Sequence, residues 1–410
     1  MTLPQFRDVS ELNPHVYRPM EFFASDLLYE GLVAFEPVVV GGVEILQAVP
    51  ALATSWTSAP NGVGSMIVTF QLRNGVTFHD GQPWNAAAAL KNLDNVFAPP
   101  LATVDWHGWY ELPLRMTSWR APSTMSLEIT MNAPYSATIQ DLTFIRPLRF
   151  LSPAAFPDVR WPGTNSCRRQ WGNVTGPGGT VVMCAGILAP IGTGPFSFAK
   201  KTTNQREIGP SVVSLPEGSL RPGESVTSVS FASYTKYWRG APAISGVECV
   251  VYPSTAAVAA ALHSGVLDIA YGVNSVDASD FLSIRANHSV RWSAHTGRPI
   301  NTRLVAINSN ASVTSSLSVR RAIVALVNRE KLVSGPLGGL ERAATTVFPV
   351  DLPFCNVPLT PVPAYDPEKA ALLLSADGWA PGSNGIRAKG GQVLSVKMVT
   401  MDCEIAPPTY

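Results

Sequence analysis

The histidines are the first residues of this chain that could carry out chemistry, because an imidazole binds metals and exchanges protons near neutral pH. None of them stands in an HExxH pattern, and no serine stands in a GxSxG pattern. No spacing of aspartates and glutamates indicates a pair for acid–base catalysis. The sequence therefore favours a protein that is not an enzyme, although it contains six histidines: His15, His79, His107, His263, His288 and His295.

The five cysteines are the next candidates, and they form no CxxC pair and no Cys/His cluster of the kind that binds zinc. Cys167 and Cys184 flank a glycine-rich segment, so a disulfide between them is one expectation for an oxidising compartment. Unpaired, buried thiols are the other expectation. The sequence does not choose between these two states.

The composition narrows the class of protein. A chain of 410 residues indicates two or three domains, and 46% hydrophobic residues are enough for large cores. The net charge is +1 and no basic block stands out, which argues against nucleic-acid binding. No apolar run reaches the roughly 18 residues that a membrane span needs. The residues after Met1 have neither a basic start nor an apolar core, so no signal peptide is recognised.

The elements that position any site begin with a hairpin and a helix within Val68–Phe97. Alternation predicts a strand over Val68–Arg73, the following Asn-Gly pair predicts a tight turn, and Val76–Phe78 is predicted as the return strand. Asn85 is a natural N-cap for the helix after it. Apolar residues at helical spacing then give that helix one buried face, from Ala86 onwards.

Further elements follow by the same reasoning. The sequence predicts strands over Met125–Met131 and 302–308, and helices over Phe22–Leu32 and Val319–Leu332. Another helix is predicted to begin at Asp366, because an aspartate cap precedes a proline at the first helical position.

Several of these segments carry a resemblance to a known family. Six parts of the hairpin match, in order, the signature of the family 5 solute-binding proteins, the receptors of ABC importers for peptides and nickel: Thr69-Phe70, Leu72-Arg73, Gly75, Phe78, Asp80-Gly81 and Pro83. Other matches are LNPHVY at Leu12–Tyr17, YEGL at Tyr29–Leu32, IGTGPF at Ile191–Phe196 and YWRGAP at Tyr237–Pro242. The resemblance extends from Leu12 to about Val399 and is greatest for the nickel-binding branch. The IGTGP segment is interpreted as a structural turn.

This resemblance implies the fold. We expect an α/β, two-lobe periplasmic-binding-protein-like fold (type II, family 5), with a split first lobe and an incomplete second lobe. Lobe I is expected over residues 1–299, with a smaller subdomain at about 50–156 and an exposed inserted loop at about 157–186. Partial lobe II is expected over residues 300–410. Because members of the family continue further, we expect a chain truncated at its C-terminus, and a natural start before Met1 is also expected.

The resemblance also implies ligand-binding residues: Tyr17, Trp109 and Arg146, with Met20 and Phe22 near the place of a methionine in the nickel-binding branch. Physical chemistry agrees, since a guanidinium binds a carboxylate bidentately and aromatic rings form flat walls. No direct metal ligand is expected, although His107 is a weaker candidate. Alternatives stay open: Arg146 pairs with a structural carboxylate such as Asp141, Trp109 belongs to a core, or Tyr17 caps the first helix.

The function implied is solute binding for ABC-type import, with nickel(II) held as a chelate rather than as a covalent cofactor. A di- or oligopeptide ligand is the first alternative. A truncated homologue that no longer binds, acting as a structural or interaction module, is the second. The expected partner is an ABC permease with its ATPase, and the protein is expected to be a monomer in the periplasm or outside the cell.

Overall fold

The structure, a computed structural model, describes residues 1–5, 12–15, 26–40, 43–97, 111–144, 148–155, 172–175, 181–184, 187, 189–210, 220–272, 275–286, 292–297, 302–346, 362–383 and 385–399. Their strands are β1 (Thr2–Gln5), β2 (Val33–Val40), β3 (Val43–Pro50), β4 (Ala53–Pro60), β5 (Met66–Leu72), β6 (Met116–Ser123), β7 (Ser126–Met131), β8 (Gly172–Thr175), β9 (Val181–Cys184), β10 (Phe196–Thr203), β11 (Glu207–Ile208), β12 (Val226–Ser233), β13 (Gly246–Val251), β14 (Ala380–Pro381), β15 (Arg387–Lys389) and β16 (Gln392–Val393). The helices are α1 (Ala86–Phe97), α2 (Leu112–Arg115), α3 (Thr138–Leu142), α4 (Thr255–Ser264), α5 (Ala278–Ala286), α6 (Leu317–Leu326), α7 (Arg329–Ser334) and α8 (Pro367–Ala376). A 3-10 turn covers Pro153–Ala155, and residues 26–28 form one helical turn.

A four-stranded antiparallel sheet, in the order β4-β5-β7-β6, contains the first predicted strand. The predicted return strand Val76–Phe78 is wrong, since this segment makes only an isolated bridge between Thr77 and Pro83. Both edges of β5 are already paired, with β4 on one side and β7 on the other. The Asn-Gly turn is present, with Gly75 at a φ of 77°, but it leads the chain out of the sheet.

Helix α1 covers the inner face of this sheet, and its predicted start is confirmed. The Asn85 side chain accepts a hydrogen bond from the backbone N–H of Ala88 at 2.9 Å. Trp84, just before it, is buried and donates its indole N–H to the carbonyl of Leu52 at 3.0 Å. The shared core is continuous from the sheet to the helix and includes Val68, Phe70, Leu93, Leu127, Ile129 and Phe150. The strand predicted over Met125–Met131 is confirmed as β7.

A second sheet has five strands in the order β1-β13-β12-β10-β11. Its first pair, β1 with β13, is parallel, and the other pairs are antiparallel. Its core contains Phe198, Val229, Phe231 and Val247, with Tyr29 packed among them.

Two pairs of strands form separate two-stranded sheets. Strands β2 and β3 pair over their full lengths, from Val33 with Pro50 to Val40 with Val43. Strands β8 and β9 pair inside the segment 157–186. The prediction of a loop is therefore wrong for these eight residues, because they form one antiparallel ladder. Cys167, and with it the expected disulfide to Cys184, lies outside the described residues.

Beyond residue 275, helices α6 and α8 pack together around Val319, Ala322, Ala370 and Trp379. The single helix predicted over Val319–Leu332 is wrong, because the backbone becomes extended at Val327 and the chain then begins α7. The predicted cap at Asp366 is confirmed by its 2.9 Å hydrogen bond from the Lys369 N–H.

The predicted strand at 302–308 is also wrong: these residues are in no ladder, and Leu304 and Val305 are exposed. An extended segment becomes a strand only when a neighbour completes its hydrogen bonds.

The described residues form two compact units, residues 1–275 and residues 276–399. The lobe boundary expected at 299 and 300 stays a prediction. The mixed content of strands and helices confirms the α/β class. No helix among the described residues is long and apolar enough to cross a membrane.

Candidate functional site

All of the predicted ligand residues lie outside the described residues: Tyr17, Met20, Phe22, His107, Trp109 and Arg146. The structure does describe the segments on either side of them. Residues 12–15 precede Tyr17, residues 26–31 follow Phe22, residues 111–115 follow Trp109, and residues 141–144 and 148–150 flank Arg146. The site is therefore built here from these flanking segments.

The first flanking segment is the buried turn Leu12–His15. Leu12 has a φ of 57° and is the one non-glycine residue in the described part of the chain with a positive φ. Its carbonyl accepts a hydrogen bond from the Tyr29 hydroxyl at 2.6 Å. The Asn13 side chain accepts one from the His15 N–H at 3.0 Å. A left-handed leucine costs conformational free energy, so the packing around this turn must hold it in place.

His15 connects this turn to the segment after Arg146. Its Nε2 donates to the carbonyl oxygen of Arg149 at 2.9 Å, in the tautomer that carries the proton on Nε2. His15 is fully buried, and Arg149 is only 7% exposed. Two segments that are 134 residues apart in sequence therefore meet in the protein interior.

The Arg149 side chain joins the described segments before and after Arg146. Its Nη2 donates to the carbonyl oxygen of Thr143 at 3.0 Å. The next residue, Phe150, donates its N–H to the carbonyl of Glu30 at 3.1 Å. The residue after that, Leu151, donates its N–H to the Asn92 side chain of α1 at 2.9 Å. The segment that follows Arg146 is thus fixed to buried parts of the fold.

Asp141 fixes the residues that follow Trp109. Its carboxylate accepts hydrogen bonds from the Tyr135 hydroxyl, at 2.9 Å, and from the backbone N–H of Leu112. Burial raises the pKa of Asp141, while these two hydrogen bonds lower it. The sequence offered Asp141 as an alternative partner for Arg146, and that pairing stays a prediction.

A second, partly buried cluster surrounds Glu30. Its carboxylate accepts hydrogen bonds from the Thr193 hydroxyl at 2.9 Å, the Tyr237 hydroxyl at 2.9 Å and the Trp238 indole N–H at 3.0 Å. Burial raises the pKa of Glu30, and the three hydrogen bonds oppose this rise. The sequence showed all of these residues within quoted motifs, but motif matching did not reveal that they meet.

Two arginines cover the Trp238 ring in this cluster. The guanidinium carbon of Arg73 lies 4.1 Å from the ring centroid, and that of Arg239 lies 4.7 Å from it. Arg73 also donates to the carbonyl of Ala51 at 2.7 Å. A guanidinium over an indole face contributes roughly 0.5–2 kcal/mol, so these contacts stabilise the ring that binds Glu30.

The IGTGP segment lies against the turn at 26–30. A Cβ at Gly192 would lie 1.9 Å from the Leu28 carbonyl oxygen, and one at Gly194 would lie 2.5 Å from that of Leu27. The His79 Nδ1 accepts the Gly192 N–H at 3.2 Å, and its Nε2 donates to the Gly194 carbonyl at 3.0 Å. The glycines permit close backbone packing, which confirms the structural interpretation of this motif.

The described residues thus bring together the segments that lead to Tyr17, Phe22 and Arg146, and they fix the segment that follows Trp109. They contain no group of three or more His, Cys, Asp and Glu residues that could hold a metal ion. The chemistry available is hydrogen bonding and charge, with no nucleophile activated by a base among the contacts above.

Comparison with known proteins identifies the family. The model of "Bacterial extracellular solute-binding proteins, family 5 Middle" matches residues 47–405. A "Nickel-binding periplasmic protein" of Escherichia coli is 30% identical over 392 residues, which is 95% of this chain and 63% of that protein. A putative ABC transporter peptide-binding protein of Brucella ovis is 25% identical over 357 residues, or 84% of this chain and 55% of that protein. The chain therefore spans somewhat more than half the length of these relatives.

Solved structures of other proteins share the fold of this chain. NikA from Brucella suis, in complex with Fe(III)-EDTA, has a TM-score of 0.76 and 30% identity, covering 96% of this chain and 68% of that one. NikZ from Campylobacter jejuni, in complex with Ni(L-His), has a TM-score of 0.65 at 19% identity over 96% of this chain and 66% of that one, which shows the fold alone. These matches confirm the predicted fold class. They also agree with the prediction of a non-enzymatic protein, because members of this family are binding proteins. The chain belongs to the family 5 bacterial extracellular solute-binding proteins.

Proposed function

We propose that this protein binds a small solute for an ABC-type importer. Membership of a family of solute-binding proteins supports this proposal. The observation that carries it is the meeting of three segments at Arg149 and Phe150: the turn at His15 and the Thr143 carbonyl contact Arg149, and the Glu30 carbonyl accepts the Phe150 N–H. His15, Thr143 and Arg149 lie two to three residues from the predicted ligand residues Tyr17 and Arg146.

Within that function, we propose a nickel(II) chelate as the solute. The support is the 30% identity to a nickel-binding protein of Escherichia coli and to NikA of Brucella suis. Nickel(II) accepts nitrogen and oxygen donors, which a small chelator with carboxylates supplies. A carboxylate of the chelator would then bind the Arg146 guanidinium bidentately, with Trp109 and Tyr17 as aromatic walls.

A short peptide is the second candidate, favoured by the 25% identity to putative peptide-binding proteins of Brucella. A peptide also offers a carboxylate to Arg146, so this residue alone does not separate the two ligands. For either ligand, we propose an ABC permease with its ATPase as partner, a periplasmic or extracellular location, and a monomeric protein.

The test of the ligand is calorimetric titration of the purified protein with nickel plus L-histidine, with nickel alone, and with a dipeptide. Saturable binding of the nickel–histidine complex alone is the expected result. Binding of the dipeptide alone would move the protein to the peptide-binding members. If none of the three probes bound, solute binding by this chain would be rejected.

The test of the site is the variant Arg146→Ala. We expect its affinity for the nickel–histidine complex to fall by roughly 2–5 kcal/mol, because a charge pair in a desolvated site is broken. The matched control is Arg120→Ala, since Arg120 is an exposed arginine that pairs with Glu128 on the four-stranded sheet. Equal affinities of the two variants would remove Arg146 from the site.

A further inference from the structure

A short line of hydrogen bonds joins the two large sheets of the first unit, and we call it the His79 seam. Residues 77–79 form one side, a few residues after strand β5 of the four-stranded sheet. Residues 192–195 and Tyr234 form the other side, next to strands β10 and β12 of the five-stranded sheet. A change that opens this seam would therefore act on the contact between the two sheets.

Tyr234 supplies the neutral half of the seam. Its hydroxyl donates to the Phe78 carbonyl oxygen at 2.9 Å and, because its one proton is used there, accepts the Thr77 hydroxyl at 2.7 Å. Its backbone N–H donates to the Pro195 carbonyl at 2.8 Å. These bonds involve uncharged groups on both sides.

His79 supplies the other half, and both of its ring nitrogens are used. Nδ1 accepts the Gly192 N–H at 3.2 Å, and Nε2 donates to the Gly194 carbonyl at 3.0 Å. The backbone N–H of His79 also donates to the Gly192 carbonyl at 2.9 Å. Only the neutral imidazole with its proton on Nε2 makes both ring contacts, since a protonated ring has a donor at each nitrogen. A proton on Nδ1 would face the Gly192 N–H.

Residues 192–194 have little freedom to adjust to such a change. A Cβ at Gly192 would lie 2.5 Å from the Tyr29 ring, and the Gly194 N–H donates to the Leu28 carbonyl at 2.9 Å. The residue between the two glycines is fully buried. Because this backbone is packed closely against its neighbours, two donors that face each other are relieved by separation of the seam.

Asp80 is the charged group next to His79. Its carboxylate accepts hydrogen bonds from the Ser152 hydroxyl at 2.6 Å and from the Gln82 N–H at 3.0 Å. The Asp80 charge and the Gly194 carbonyl favour the imidazolium, but burial outweighs them and lowers the pKa of His79 to about 4. The neutral ring that the hydrogen bonds require is thus also the form present at neutral pH.

Tyr234 and Glu30 are further ionisable groups packed around the seam. The Tyr234 ring meets the His79 ring edge-on, with centroids 4.9 Å apart. Glu30 accepts the Thr193 hydroxyl at 2.9 Å, and burial raises the pKa of its carboxyl. Because a raised carboxyl pKa favours the closed form as pH falls, Glu30 opposes the effect of His79.

We propose that the His79 seam is a proton-operated joint: uptake of one proton at His79 Nδ1 separates residues 192–194 from residues 77–79 in acid, while both sheets remain folded. The inference does not depend on the proposed function. It differs from general acid unfolding, in which the strands of both sheets would open together with the seam.

The size of the effect follows from the two states of the imidazole. In the open seam His79 has its ordinary pKa near 6.5, whereas in the closed seam its pKa is about 4. Opening therefore takes up a proton as pH falls through this range. The equilibrium constant for opening should rise by roughly fiftyfold between pH 7 and pH 4.5.

Amide hydrogen exchange at single residues, followed by NMR, tests the joint. The Gly192 and His79 amides bond across the seam, so their protection factors, referred to unstructured peptides at each pH, report its opening. We expect these factors to fall by roughly fiftyfold from pH 7 to pH 4.5, and those of β12 amides by less than threefold. An equal fall in β12, which means global unfolding, or no fall at the seam would overturn the proposal.

The variant His79→Gln separates the imidazole from other titrating groups. A glutamine amide can still donate to the Gly194 carbonyl and carries no charge, so the protection factor of Gly192 should change less than threefold between the two pH values. His263→Asn, at an exposed histidine, is the matched control and should keep the fiftyfold change. A change of the wild-type size in His79→Gln would assign the response to another group and reject the proposal.

Tyr234→Phe is the second variant, and it weakens only the neutral half of the seam. It should lower the protection factor of Gly192 by the same factor at pH 7 and at pH 4.5, so that the ratio between the two stays near fiftyfold. A ratio near one in this variant would show that the hydroxyl contacts, rather than the imidazole, carry the response, and the proposal would fail.

Discussion

The Glu30 cluster and the Arg149 junction, which comprises Arg149 with His15, Thr143 and Gly31, are two charged centres that both contact the short stretch of residues 26–31. At Glu30, one carboxylate receives hydrogen bonds from three neutral side chains that come from late in the first unit. At Arg149, one guanidinium donates to the backbone carbonyl of Thr143 and lies against Gly31, which leaves room for it.

This difference indicates what each centre contributes to the protein. Loops near residues 193 and 237 converge on Glu30, and no ligand residue is predicted in either of them, so this cluster mainly stabilises the fold. The segments that meet at Arg149 are next in sequence to Tyr17 and Arg146, the predicted ligand residues, so a change there is expected to act on solute affinity. The two centres should therefore separate stability from affinity when they are changed one at a time.

Glu30→Ala should have the largest effect on stability. It leaves the buried Thr193 hydroxyl and the partly buried Tyr237 hydroxyl and Trp238 N–H without their acceptor, and should lower the free energy of unfolding by about 4 kcal/mol. Urea denaturation followed by circular dichroism measures this. Glu30→Gln, which keeps one acceptor oxygen, should lose about half as much. A loss below about 1 kcal/mol for Glu30→Ala would contradict a stabilising cluster, since exposed sites typically lose no more.

A lower pH should reduce the free energy of unfolding through His79, which contacts the segment that contains Thr193. Burial lowers the pKa of His79 to about 4, whereas the imidazole in the unfolded chain has its ordinary pKa near 6.5. As pH falls below 6.5, the unfolded chain takes up a proton that the folded chain does not. Stability is therefore lost down to about pH 4, by about 3 kcal/mol in total.

Urea denaturation between pH 7 and pH 4 checks this prediction, with His79→Gln for comparison. Burial raises the pKa of Glu30, which acts in the opposite sense, so the difference between wild type and His79→Gln isolates the imidazole. His263→Asn, at an exposed histidine, should behave as the wild type does. If His79→Gln lost as much stability between pH 7 and pH 4 as the wild type, the loss would not come from His79.

Asn85→Ala gives the smallest effect and a reference for a purely local change. It removes the cap of α1, which is one local hydrogen bond and involves neither charged centre. The free energy of unfolding should fall by about 1 kcal/mol. Asn85→Ser keeps an acceptor for the Ala88 N–H and should restore most of it. An unchanged melting temperature for Asn85→Ala would show that this hydrogen bond contributes nothing to stability. An effect as large as that of Glu30→Ala would remove the distinction between local and converging contacts.

Local signals in the sequence predicted local structure well. The caps at Asn85 and Asp366 were predicted correctly because a cap depends on residues three positions apart. The return strand at Val76–Phe78 was predicted wrongly, because the partners of β5 come from Ala53–Pro60 and Ser126–Met131. A tight turn predicts that the chain reverses, and it does not predict which strand pairs next.

In the candidate site too, local motifs were predicted from the sequence and long-range contacts were not. The motifs around Glu30, Thr193 and Trp238 were visible in the sequence, but their contact joins residues 163 and 208 positions apart, which no local pattern shows. Arg149 was visible beside Arg146, yet its burial depends on Gly31 and His15. The roles of Tyr17, Trp109 and Arg146 came from resemblance and stay predictions, because these residues lie outside the described part of the chain.

The parallel pair of β1 and β13 has a consequence for the order of folding. Thr2–Gln5 pairs with Glu248–Val251, and the Thr2 N–H binds the Asp268 carboxylate at 2.7 Å. Contacts across such a separation close a long loop and form late. The chain must be synthesised as far as Val251 before β1 can pair, so β1 waits for a strand that is made long after it.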